Sequence, residues 1–119
     1  MAEKSAERSC NCKKPDLDDL CFHAQQAAEK ALKGVLVAHG AVFPRSHSIG
    51  LLFELISKIQ IKVPQELMEE ASELTIYAVQ ARYPGDHVVD FDEYREAAAT
   101  AEKVVRWAEE HVKRFSDNQ

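Results

Sequence analysis

Apolar residues recur at helical spacing in four separate stretches of the chain, and no stretch alternates as a strand does. In the first, Leu17, Leu20, Cys21, Ala24, Ala28, Ala31, Leu32 and Val35 form one stripe. Asp16 follows Pro15 as an N-cap, Asp18 and Asp19 favour the helix dipole, and Gly40 supplies the stop after His39. In the second, Ser46 is expected to cap a helix whose buried face is Ile49, Leu52, Phe53, Ile56 and Ile59, with His47 in its first turn. A third helix should start at Pro64, carry Glu66, Glu69 and Glu70 early, and bury Leu67, Ala71, Leu74, Ala78 and Ala81 before ending at Arg82. The fourth begins behind Asp90, with Glu93 in the capping-box position. Its stripe reads Phe91, Tyr94, Ala98, Ala101, Val105, Ala108, Val112 and Phe115. Four amphipathic helices with short connections predict an all-α, up-and-down four-helix bundle over residues 16–116. Residues 1–15 are polar and without period, a tail in which a short extra helix is left open.

The first helix carries a second pattern. At 100° per residue, Phe22, Gln26, Lys33 and Val37 share a side away from the stripe, with His23 and Lys30 at its edge. Two apolar residues among polar ones there predict a second contact surface, so Phe22, Gln26 and Val37 are expected at a homodimer interface.

Composition narrows the class. At 119 residues, 45% hydrophobic and 29% charged, the chain suffices for one domain with a genuine core. No apolar run is long enough for a membrane span, and the first eight residues lack the apolar core of a signal peptide, so a cytoplasmic location is expected. A net charge of −5 argues against coating nucleic acid through a broad basic surface. The charge is uneven: residues 1–47 carry seven Lys/Arg against six Asp/Glu, and residues 48–119 eight against fourteen. Phosphate binding should therefore be local and draw on the first half plus Arg82. Cys10, Cys12, Cys21 and His23 could in principle ligate zinc. The one-residue gap between Cys10 and Cys12 is not finger spacing and Cys21 falls on the apolar stripe, so free thiols are expected, with no metal and no cofactor.

The candidate chemistry lies in Arg82-Tyr83-Pro84-Gly85-Asp86-His87. Pro84-Gly85 is a turn signal, and proline drives Tyr83 out of the helical region. A guanidinium on a last helical turn and an imidazole just across a tight bend suit a phosphodiester: the first can fork the non-bridging oxygens, the second can move protons. The same residues equally fit a helix-terminal cation and an ordinary loop histidine.

Several segments resemble the HEPN-domain family. Cys21-Phe22-His23-Ala24-Gln25-Gln26-Ala27-Ala28-Glu29-Lys30-Ala31-Leu32-Lys33 is similar to its first helix, Phe43-Pro44-Arg45-Ser46-His47-Ser48-Ile49 to the start of its next, and Ala81-Arg82-Tyr83-Pro84 to its later signature. The resemblance covers roughly residues 16–115. It implies a dimerising helical bundle, often paired with a minimal nucleotidyltransferase as toxin and antitoxin. Many members are metal-independent ribonucleases with an arginine followed four to six residues later by a histidine, a pattern met by Arg82 and His87 as the catalytic pair. Lys30, Lys33, Arg45, His47 and Tyr83 are then expected to bind the RNA substrate. Some members carry a nucleotide-modified tyrosine two residues after the histidine, where this chain has Val89. Other members bind nucleotides or regulate without catalysis, so a non-catalytic nucleotide-binding or partner-docking module is the alternative.

Overall fold

The computed structural model describes residues 16–82 and 88–117, for Arg82 the backbone alone. The cysteines at positions 10 and 12 and the possible extra N-terminal helix lie outside the described residues. Five helical segments follow in order: α1 Leu17–Ala38, α2 Ile49–Lys58, α3 Gln65–Ser72, α4 Thr75–Arg82 and α5 Phe91–Asp117. Helix α1 packs most extensively on α5 and also touches α4 and α2, while α3 bridges α2 and α5. The molecule is an all-α bundle built around α1, with no strand among the described residues.

The caps follow from the local sequence. Asp16 accepts the Asp18 amide at 3.0 Å, and Asp90 accepts the Glu93 amide at 2.7 Å. Gly40 takes a φ of 70° after α1, where Gly40 and Ala41 donate back to Val37 and Leu36, each at 2.9 Å. That is a Schellman closure, and the positive φ explains the glycine. The cap of α2 is Ser48, which accepts the Leu51 amide at 3.2 Å, rather than Ser46. Ser46 instead receives the Ser48 amide at 3.0 Å, and His47 therefore precedes the helix instead of occupying its first turn.

The expected third helix is broken in two. Glu73, Leu74 and Tyr77 each donate to the carbonyl three residues back, which tightens the chain into a turn at Glu73-Leu74. The Ser72 hydroxyl adds a 2.7 Å bond to the Met68 carbonyl, a local competitor of helix bonding that bends helices. The Thr75 hydroxyl accepts the buried Ile49 amide at 3.0 Å and so tethers the break to the start of α2. Leu74 is driven into the core by the same turn.

The buried line of α5 is also rotated from the expected stripe. Ala97, Ala101, Val104 and Ala108 are buried, whereas Ala98 and Val105 are half-buried and Phe91 is exposed. Three alanines in a line allow close approach to α1, and the bulky aromatics are displaced to the flanks and ends of the seam. The core they close on consists of Leu32, Val35 and Leu36 of α1 with Ile49, Leu52, Phe53 and Ile56 of α2, all fully buried.

Candidate functional site

Two polar residues of α1 lie inside this core. Gln25 and Glu29 fall on the same line as Cys21, Leu32 and Leu36, and both are buried. Gln25 is satisfied by its neighbours: its Nε2 donates to Glu29 Oε1 at 2.9 Å and to the His47 carbonyl at 3.2 Å, and its Oε1 accepts from Gln26 Nε2 at 2.8 Å. Glu29 Oε2 accepts from Lys33 Nζ at 2.7 Å, and Oε1 lies 3.0 Å from His47 Nδ1. Burial acts to raise the Glu29 carboxyl, but hydrogen bonds from Lys33, His47 and Gln25 together with the Lys33 charge outweigh it, so it is held below the usual value.

The tautomer of His47 follows from this arrangement. An ionised carboxylate only accepts, so His47 Nδ1 carries the proton it gives to Glu29. The remaining ring nitrogen, Nε2, is the one left outside this bond. The ring itself is about half exposed, at 47%, against 5% for Glu29. With Phe22, Gln26, Ala78 and Ala81 it lines a pocket of about 260 Å³ between α1, the start of α2 and the last turns of α4. Ala81 directly precedes Arg82, the final residue of α4.

The expected site residues are only partly gathered here. His47, Phe22 and Gln26 line the pocket, and Lys33 stands beside it, bonded to Glu29 with its ammonium 5.8 Å from the centre of the Phe43 ring. Lys30 and Arg45 are exposed and outside the hydrogen-bonded cluster, and Val37 is 64% exposed farther along α1. The face read as a second contact surface is thus half-covered within the chain at Phe22 and Gln26. The Arg82 side chain, Tyr83 and His87 lie outside the described residues. Periodicity alone points past Gln25 and Glu29, since a stripe is read from its apolar members. The signal was the i, i+4, i+8 ladder Gln25-Glu29-Lys33 threaded through it.

A second cavity, of about 740 Å³, opens between the α3–α4 elbow and α5. Glu70, Glu73, Glu93 and Glu96 line it, which disfavours a polyanion. Tyr77 at its edge donates to Glu93 Oε2 at 2.6 Å and is in hydrogen-bonding contact with Cys21, linking α4, α5 and α1. Burial, then the charges of Glu93 and Asp18, push the Cys21 thiol up to about 11, which favours the protonated, packed thiol over the thiolate. Among the described residues no group of three His, Cys, Asp or Glu side chains is placed to hold a metal, and no helix is long and apolar enough to cross a membrane.

No curated protein and no solved structure matches the chain at a significant level. The family model of the HEPN domain matches residues 2–111, which takes in α1 to α4 and most of α5, and the chain belongs to the HEPN-domain family.

Proposed function

We propose that this HEPN domain is a metal-independent endoribonuclease, the toxin of a toxin–antitoxin pair whose partner is a minimal nucleotidyltransferase. HEPN domains are generally ribonucleases or nucleotide-binding modules, and they commonly dimerise and act on RNA. The observation that supports the reading is the pocket lined by His47, Phe22 and Ala81, the last being the residue of α4 that precedes Arg82 in the chain. In this reading Arg82 binds the scissile phosphate and stabilises charge on the pentacoordinate transition state. His87, separated from the arginine by four residues, moves a proton from the attacking 2′-hydroxyl to the departing 5′-oxygen as the 2′-oxygen bonds to phosphorus and the bond to the 5′-oxygen breaks. Two such motifs meet across a homodimer. Val89 is buried and has no hydroxyl, so nucleotide transfer to a tyrosine at that place is not the means of control.

Incubating the purified chain with RNA in EDTA tests the proposal. Cleavage should persist without divalent metal, leave cyclic phosphate ends and spare DNA. Arg82→Lys should lose activity, because an ammonium keeps the charge but not the planar fork. The second reading, a partner-docking module, is favoured by the glutamate-lined groove and the net charge of −5. It predicts an inert wild type whose Arg82 variant still binds the nucleotidyltransferase.

A further inference from the structure

The sequence motif offers a single histidine for the chemistry, yet the described pocket contains a different one. His47 has the three features of a working proton carrier: a buried carboxylate on one ring nitrogen, a fixed tautomer, and a ring face open to a cleft. Glu29 in turn is fixed by Lys33 on its other oxygen and by Gln25, whose amide also holds the His47 backbone carbonyl. The imidazole is thus restrained at both its ring and its main chain by the same two residues of α1. A histidine that only filled space between α1 and α2 would not need a carboxylate whose desolvation must be offset by three donors.

We propose that His47 is a second proton-transfer residue of this site, the general base toward a ribose 2′-hydroxyl, and that Glu29 is its positioning residue. The inference rests on the ribonuclease reading. His47 Nε2 takes the hydroxyl proton as the 2′-oxygen bonds to phosphorus. The bond from phosphorus to the 5′-oxygen breaks, the electron pair leaves with that oxygen, and the proton it needs comes from the general acid of the motif. His47 ends the step as an imidazolium between Glu29 and the product, a charge the carboxylate stabilises. Lys33 keeps Glu29 ionised throughout. Phe22 and Gln26 on the pocket wall supply a ring and an amide, groups suited to a stacked, hydrogen-bonded base beside the reacting ribose.

The test combines kinetics with spectroscopy. His47→Ala should lower the rate of RNA cleavage 10²- to 10⁴-fold, the usual range for a positioned proton carrier. His47→Gln keeps an N–H donor for Glu29, so it should fold like wild type and still show the same loss in kcat. Glu29→Gln should cost about 10- to 100-fold in kcat while leaving KM within about threefold, as expected of a residue acting through another. Imidazole ¹⁵N spectra should show His47 in its Nδ1–H form in wild type and a mixture of tautomers in Glu29→Gln, and the loss in kcat should accompany that change in tautomer. RNA cleavage that survives His47→Gln at the wild-type rate overturns the inference and leaves the ribonuclease reading standing. A wild-type chain inert toward RNA overturns both, and an Nε2–H form of His47 in wild type overturns the dyad by itself.

Discussion

Glu29 shows how a single residue can couple stability to pH. Its pKa is lower in the folded chain than in the unfolded one, through hydrogen bonds and the Lys33 charge acting against burial. A carboxyl depressed in this way contributes stability that is complete above the unfolded value of about 4.3 and is lost as pH falls through the lower folded value. Glu29→Ala should cost about 1–3 kcal/mol at neutral pH, the range for stranding buried donors such as the Gln25 amide. The difference in urea midpoint between wild type and variant should then shrink in acid. A gap that stays constant down to pH 3 would contradict the assignment. At this scale the sequence was legible wherever side chain and backbone speak locally, as at Asp16, Gly40 and Asp90. It was not legible at Gln25, because an amide reads as surface until its partners, a glutamate one turn on and a carbonyl 22 residues away, are known.

At the scale of elements, the break between α3 and α4 is the informative departure from the sequence pattern. No proline or glycine marks Glu73-Leu74, and the apolar spacing runs on through Leu67, Ala71, Leu74 and Ala78, all of them buried. A non-local bond joins the local one made by the Ser72 hydroxyl: Thr75 Oγ1 is occupied by the amide of Ile49 on α2. Ile49 is buried, so its amide has no ready route to water if that acceptor is removed. Thr75→Val keeps the shape and removes the oxygen, and should destabilise the fold by about 1–2 kcal/mol, as the loss of a helix cap does. Thr75→Ser should retain most of the stability, and equal losses for valine and serine would show that packing, not the hydroxyl, holds the elbow. The elbow also matters for the site, since it sets the course of α4 from Leu74 to the pocket wall at Ala78 and Ala81. The rotation of α5 has a similar origin. Phe91, Tyr94 and Phe115 weigh heavily in a hydrophobic stripe, but interhelical distance is set by the smallest residues, and these are Ala97, Ala101 and Ala108.

Over the whole molecule, α1 is the member on which the other helices depend. Its middle turns carry the Glu29 and His47 cluster, and its C-terminal end meets α5 through a pair of histidines. His39, the C-cap of α1, places Nε2 2.9 Å from Nε2 of His111, and the Phe115 ring lies 3.9 Å from the His39 ring. Trp107 stacks on His111 at 5.7 Å and also contacts Phe53 in the core. Two Nε2 atoms at that distance share one proton, so at least one ring must be neutral while the contact persists. Burial, then the neighbouring His39, then Arg114 hold His111 below the usual histidine value. A histidine depressed in the folded state has its stabilising effect above the unfolded value of about 6.5 and loses it as pH falls below that, because the unfolded chain then binds more protons. The α1–α5 seam should therefore weaken between pH 7.5 and 5.5, a window well above the one in which Glu29 titrates. Urea unfolding of wild type should show a lower midpoint at pH 5.5. His111→Phe, which keeps an aromatic ring between Trp107 and Phe115 but binds no proton, should show a smaller drop. If the two proteins lose stability equally over this interval, the histidine pair is not the source, and the acid sensitivity of the bundle lies elsewhere.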